Sequence, residues 1–546
     1  MPVNDVDVIK KLFEAWAQTQ PSVRGGDITL PGAQHYSYEL EKDVNDPLFS
    51  AIPFSNLFQI TDPNQFPAVK ASIEAVPDFA SFDDARGNGY FSRAMKLYER
   101  FLNDKIAYME VKKMVSLFPY LAAIRTKPFI LLAGISGTGK SRLVRQLARG
   151  CCPSGHDLGK DAEGHVDAAQ KPGNFEIIPV RPNWHDSTEL MGYVTRITGT
   201  GKPKYVLTSF VKFLVKAWLH KNVPFFLCLD EMNLAPVEQY FAEYLSKIET
   251  RKLSGGDIVT DVLVEFTDEV CESAIEELLK PYKPAAGSPI PPEVTALENA
   301  MKADKGIRIP SNLVVMGTVN MDETTCSFSR KVLDRAMSFE LNDVSDMYAI
   351  STNGDPDIPW GSLNDGTVNR AKQTYVTAEN LYAEPDATKR AANVAIGEKV
   401  LAYLKAVNAV LDKTPFKVAY RTRNEMMLYC VERGGDLAKA LDEVTSMKIL
   451  SRIEGDENAV RVTNKLVESA AVVSTPPPND APKNLIQLLK RVILKQLGIA
   501  DGTLANAAAV PSAQEYETIE GKYKICASKL DEMNDRLPSG YTGFWR

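Results

Sequence analysis

The sequence predicts an α/β fold built on a parallel sheet, with a small N-terminal domain before it and an α-helical second domain after it. Three observations carry that prediction. From about Ser116, short apolar runs alternate with longer segments of helical periodicity, as parallel α/β folds require. A glycine-rich stretch, residues 134–141, joins one apolar run to a helical segment. Beyond Leu341 the strand-like runs fade and helical spacing dominates, for example in Ala391 to Leu411 and Asn424 to Glu432.

Taken in order, residues 1–115 mix proline-punctuated aromatic stretches such as Leu48 to Pro67 with helical ones such as Phe91 to Lys113, and read as a separate N-terminal domain. Phe91, Ala94, Met95, Leu97, Tyr98, Phe101 and Leu102 recur at helical spacing, giving a face that packs inward or docks a partner. Residues 116–341 carry the candidate strands Phe129 to Ala133, Phe175 to Pro179, Phe225 to Leu229 and Leu313 to Thr318. A long insertion, residues 254–309, separates the last two, and its length marks a functional appendage or a partly mobile loop. Residues 342–475 form the helical domain. The three consecutive prolines within Ser474 to Pro482 mark a break before a C-terminal helical extension, residues 476–546, with helices Leu485 to Leu497 and Tyr516 to Leu537. The aromatic C-terminus, Gly540 to Arg546, is expected to dock on a partner or on the helical domain.

At 546 residues the chain exceeds what one core organises, and its 44% hydrophobic and 24% charged residues match ordinary globular averages. The longest apolar runs, Pro128 to Ile135 and Pro224 to Leu229, fall far short of the ~18 residues of a membrane span, and residues 1–10 lack the apolar region of a secretory signal. Cytoplasm is the expected compartment, with no membrane partner. Seven scattered cysteines argue against a disulfide framework, and Cys151, Cys152, His156 and His165 match no common zinc spacing. A net charge of −7 opposes general nucleic-acid affinity but leaves room for a local basic surface.

Gly134-Ile135-Ser136-Gly137-Thr138-Gly139-Lys140-Ser141 satisfies the phosphate-loop pattern in its proper place, after a strand and at the start of a helix. The glycines let backbone N–H groups converge on phosphate oxygens at a helix N-terminus, where the dipole favours anions. Lys140 then reaches the β and γ phosphates and Ser141 ligates Mg²⁺. About ninety residues later, Pro224 to Leu229 ends in Asp230 and Glu231. Asp230 is the expected carboxylate on the metal side and Glu231 the base that activates water. Asn320, at the end of a third apolar run, can hold the water or the γ phosphate, although taken alone it reads sooner as a turn former. Arg330 and Arg335 supply cations for the charge that develops on a transferred phosphoryl group, the plainer alternative being surface salt bridges.

Together these residues resemble the AAA+ family and, within it, the McrB-like branch, the nucleotide-driven motor subunits of McrBC-type modification-dependent restriction systems. The segments that carry the resemblance are the phosphate loop, Arg181 to Tyr193, Leu229 to Ala235 with Glu238 to Leu245, and Gly317 to Glu323; it covers roughly residues 116–455. It implies a P-loop AAA+ core with a helical lid, hydrolysis of ATP or GTP with Mg²⁺, and a ring, usually a hexamer, with nucleotide between subunits. It further implies Asn320 as sensor 1, Arg335 as the arginine finger with Arg330 its rival, and Arg421 as sensor 2 with Arg423 its rival. The partner it implies is a separate McrC-like nuclease subunit, with DNA reached through the complex. The restriction motors read Met-Asn-Thr-Ala-Asp-Arg-Ser where this chain has Val319 to Thr324 without the arginine, so the resemblance does not choose between ATP and GTP. A MoxR-like or dynein-related protein-remodelling ATPase would use the same catalytic residues. A nuclease within the chain itself would need Pro77-Asp78 and Glu110-Val111-Lys112 as a PD…ExK pattern, but Glu110 lies in an apparent helix.

Overall fold

The computed structural model describes the chain except residues 1–4, 22–26, 53, 55, 86–88, 154–155, 160–171, 199–200, 286–287, 322–327, 343–357, 359, 364–370, 462–481, 507–510 and 546. The expected proline break at 474–482 and the metal candidate His165 therefore lie outside the described residues, save Pro482, as do Asp322, Glu323 and Thr324. The chain divides into two compact units, residues 1–121 with 433–435, and residues 122–432 with 436–546.

The first unit is helical among the described residues, apart from one isolated bridge between Pro21 and Asp27. Its core is aromatic: Tyr98 meets Phe13, Phe58 and Phe66 edge-on at 5.0 to 5.6 Å between ring centres, and its hydroxyl donates to the Ile60 carbonyl at 2.9 Å. All seven apolar residues read as one face of Phe91 to Leu102 are buried, so that face packs inward. The expected continuous helix breaks at Asp104, whose extended backbone separates Tyr90–Asn103 from Lys105–Thr126. Glu110 lies within the second of these helices, and the unit offers no sheet for a PD…ExK nuclease among its described residues.

In the second unit five parallel strands form the central sheet: β1 (Phe129–Gly134), β2 (Phe175–Pro179), β3 (Phe225–Asp230), β4 (Leu313–Asn320) and β5 (Met337–Glu340), in the order β5-β1-β4-β3-β2. β1, β3 and β4 are buried on both faces, which is why they read as unbroken apolar runs. From β1 the chain crosses to β2 at one edge, returns through β3 and β4, and passes β1 to reach β5 at the other edge. The carboxyl ends on either side of that reversal frame a crevice, the usual ligand position in such sheets. The register pairs Gly134 with Asn320 and Leu229 with Gly317, so the root of the glycine-rich loop, the two acids and the polar end of β4 share one edge.

The described residues of the insertion form two antiparallel strand pairings and two α-helices. The hairpin Lys252–Ser254 with Asp257–Val259 opens it, and Val262–Glu265 pairs with Gly306–Arg308 around the helices Cys271–Leu279 and Pro292–Asp304. Buried Leu263, Ile275, Leu278 and Ile307 join the core that surrounds the sheet. This part therefore packs on the sheet through one shared core.

The helices Ala387–Leu411, Leu437–Lys448, Leu485–Ala500 and Lys524–Arg536 pack together, so the C-terminal extension belongs to the same body as the helical domain before it. The expected single helix Tyr516 to Leu537 is two, Ala513–Lys522 and Lys524–Arg536, with non-helical Tyr523 between them. Asp442 explains the break. Its carboxylate accepts the amides of Ile525 and Cys526 at 3.1 and 2.9 Å and so satisfies the first turn of the new helix. The C-terminus docks here too: Thr542–Gly543 pairs with Glu454–Gly455, and the Trp545 indole donates to the Ser451 carbonyl at 2.9 Å.

Candidate functional site

β1 ends at Gly134 and the chain turns through residues 135–139 into the helix Lys140–Cys151. Gly137 and Gly139 hold φ of +87° and +82°, a region costly to any residue with a Cβ, and both face open space. Gly134 is required for a different reason. A Cβ there would lie 2.4 Å from the Leu341 carbonyl oxygen, where the chain leaves β5. Residues 135–137 and Gly139 are exposed, whereas Lys140 is 6% exposed and donates to the carbonyls of Gly134 and Ile135 at 2.9 and 2.7 Å. The result is an open loop above a helix N-terminus, with an ammonium at its base.

Beside it, Ser141 Oγ donates to Asp230 Oδ1 at 2.7 Å, which joins the first turn of the helix to the end of β3. Thr318, on β4, donates to the same oxygen at 2.8 Å and accepts the Glu231 amide at 2.9 Å. Glu231 adopts a left-handed backbone, φ +51° and ψ +50°, an uncommon state for a non-glycine residue and one that clusters at functional sites. The turn aims its carboxylate at β4, where Asn320 Nδ2 donates to Glu231 Oε1 at 2.8 Å. Asn233 then fixes Asn320 by donating to its carbonyl at 2.9 Å. Beneath this layer burial pushes the Cys228 thiol up and the charge of Asp230 adds to the shift, which keeps it a neutral thiol.

The structure thus brings together Gly134, Ser136, Gly137, Thr138, Gly139, Lys140, Ser141, Asp230, Glu231 and Asn320. Thr318, Asn233 and Asn342 were missed by sequence reasoning. A polar residue inside the apolar run of β4 was the available signal for Thr318; Asn342, which accepts the Ile135 amide at 3.1 Å, had none. For Mg²⁺ the residues fit: a hydroxyl and a carboxylate in contact supply hard oxygen donors, and phosphate and water would complete the set. Among the described residues no group of three or more His, Cys, Asp and Glu could hold a metal by itself.

Arg421, expected as sensor 2, is engaged in ion pairs away from the phosphate loop. Its guanidinium pairs with Glu249 at 2.8 Å and with Asp334, inside a network in which Lys127 bridges Glu249 and Glu425, Lys448 holds Glu425, and Arg452 holds Asp334. Asp334 precedes β5 and Lys127 precedes β1, so these charges lie at the amino edge of the sheet. The length of β5 alone, roughly 13 Å at about 3.3 Å per residue, separates that edge from the phosphate loop. Arg423 sits against Asn424 and the Tyr420 ring. Arg335 lies at the same amino edge, with Nη1 donating to the Lys331 carbonyl at 2.8 Å, and Arg330 donates to the Pro415 carbonyl over the Phe416 ring.

A family model described as a domain of unknown function (DUF8727) matches residues 370–540, the helical part of the second unit. No curated protein matches the sequence. Among solved structures the chain is similar to a "putative ATPase" from Cytophaga hutchinsonii ATCC 33406, at 12% identity and a TM-score of 0.27, over 58% of this chain and 74% of that one. Among the described residues no helix is long and apolar enough to cross a membrane.

Proposed function

We propose that the chain is a Mg²⁺-dependent nucleoside triphosphatase of the AAA+ type, in its McrB-like branch, and works as a ring. The observation that carries this reading is the hydrogen-bonded series Ser141, Asp230, Thr318, Glu231 and Asn320 beside the phosphate loop. In it the exposed loop amides and Lys140 bind the β and γ phosphates at the helix N-terminus. Ser141 and Asp230 hold Mg²⁺, which supplies charge neutralisation on the phosphates. Glu231, oriented by Asn320 and by the turn that Thr318 secures, accepts a proton from the attacking water. Arg335 lies at the far edge of its own sheet, so it serves a neighbour's site and not its own.

A ring of this kind, with Glu110 in a helix and so without the strand a PD…ExK nuclease needs, would drive a separate McrC-like nuclease subunit on DNA in a restriction or antiphage defence system. The test is turnover of ATP and GTP by purified protein, with a Glu231→Gln variant and mass determination in each nucleotide state. Turnover that collapses in the variant, with nucleotide-dependent assembly, supports the reading. Assembly with turnover that responds to a protein substrate and never to DNA or a nuclease supports the remodelling alternative. An assembled ring that binds nucleotide without turnover overturns the hydrolytic role.

A further inference from the structure

The phosphate loop is connected to a helix near the end of the chain. The amide of Ile135, the first loop residue, donates to Asn342 Oδ1 at 3.1 Å, and Asn342 Nδ2 donates to Glu340 Oε1 at 2.6 Å. Glu340 ends β5, and its two carboxylate oxygens receive Lys529 Nζ at 2.7 and 2.6 Å. Lys529 is 5% exposed and sits in the middle of the helix Lys524–Arg536, its ammonium 4.9 Å from the centre of the buried Phe544 ring. That helix is fixed at its start by Asp442, and near its end the Thr542 hydroxyl donates to the Met533 carbonyl while Arg536 Nη1 donates to the Gly543 carbonyl. Backbone contacts run parallel to the side-chain path, because the Leu341 amide donates to the Ala133 carbonyl at 2.7 Å and Gly134 makes room for the Leu341 oxygen.

We propose that Lys529, Glu340 and Asn342 form a positioning relay through which the C-terminal helix sets the conformation of the phosphate loop, and with it the affinity for nucleotide. The inference rests on the reading of residues 134–141 as a nucleotide site. The Ile135 amide is engaged by Asn342, so it orients the loop and leaves the following amides to meet phosphate. A loop held in its bound form loses less freedom on binding, which raises affinity without a new contact to the ligand. Lys529 also neutralises Glu340. Without it a carboxylate stands uncompensated at the root of a site for a polyanion, and the penalty grows with the charge of the ligand.

The full-length chain is examined as wild type, Lys529→Met, Lys529→Arg, Asn342→Ala, the double variant Lys529→Met with Glu340→Gln, and Lys140→Ala. Fluorescent analogues of MgADP, MgGDP and slowly hydrolysed MgATP and MgGTP report affinity, and hydrogen exchange of the nucleotide-free protein reports the amides of 134–140. Lys529→Met is expected to weaken the triphosphate analogue 10-fold or more, the diphosphate less, and to speed exchange at the loop. Lys529→Arg and the double variant should recover most of the affinity, and Asn342→Ala should speed exchange even if Lys529→Met folds poorly. Wild type that binds nucleotide, with Lys529→Met and Asn342→Ala binding equally and exchanging at the same rate, overturns the relay alone. Wild type that binds none of the analogues, or binds them as well after Lys140→Ala, overturns the reading of the loop and the proposal with it.

Discussion

Thr318→Val tests the centre of the site with the smallest change of shape. The valine fills the same volume on β4 but removes a hydroxyl that donates to Asp230 and accepts the Glu231 amide. A hydrogen bond to a charged acceptor contributes about 1.5 to 3 kcal/mol, and a backbone N–H left without a partner costs about 1 to 3 kcal/mol. The two losses share one residue and do not add fully, so a destabilisation of about 3 kcal/mol is expected. Function should suffer more than stability. Glu231 holds a left-handed backbone, a state that costs of order 1 to 3 kcal/mol and persists only where surrounding contacts enforce it. Once its amide is released the turn relaxes and the carboxylate leaves its position beside Asn320, and a displacement of about 1 Å can cost ~10²-fold in rate. Denaturant unfolding gives the first quantity; turnover and the affinity of the ADP or GDP analogue give the second. Thr318→Ser keeps both hydrogen bonds and should recover most of the rate. A Thr318→Val protein that unfolds as wild type does, or turns over at the wild-type rate, refutes the reasoning.

Glu231→Gln should bind nucleotide as tightly as wild type while turnover falls at least ~10²-fold, because the amide keeps the hydrogen bond from Asn320 on its oxygen but cannot take a proton; parallel binding and turnover assays check this. Gly134→Ala places a methyl 2.4 Å from the Leu341 oxygen, backbone that cannot swing aside, so the exit of β5 must shift and nucleotide affinity should drop by an order of magnitude or more, read by titration. The network at the amino edge predicts an acid transition. Burial pushes the Glu249 carboxyl up, but Lys127 and Arg421 outweigh burial and hold it at about 2, below the ordinary 4.5. Its contribution is therefore complete above pH ~4.5 and is lost as the pH falls toward 2. Unfolding free energy measured from pH 6 downward should decline over that window, and Glu249→Gln should flatten the decline.

The legible parts of the molecule were those whose physics is local. β1, β3 and β4 are legible to within two residues because strands buried on both faces announce themselves as apolar runs, and β2, only partly buried, is legible to its end residues from its short apolar stretch. β5 escaped notice, since Met337-Ser338-Phe339-Glu340 is short and half polar. The loop residues 134–141 and the acids 230 and 231 could be placed together because their chemistry depends on strand ends. Arg421 could not, because its position depends on ion pairs with Glu249 and Asp334, distant in sequence on either side of the insertion. The break at Tyr523 was hidden for the same reason: the amides of Ile525 and Cys526 are satisfied by Asp442, which no local pattern reveals.

The route of the chain also has a consequence in time. The glycine-rich loop and the five strands of the sheet are synthesised before Lys529, which holds the last residue of β5, and before Thr542–Gly543, which closes a small sheet with Glu454–Gly455. At translation rates of about 5 to 20 residues per second, roughly 10 to 40 s pass between Glu340 and Lys529 leaving the ribosome. Through that interval β5 and Glu340 wait without their counter-charge. A nascent sheet domain of this protein should accordingly be handled by the cell as an unfinished object, protected or folded loosely until the helix Lys524–Arg536 arrives.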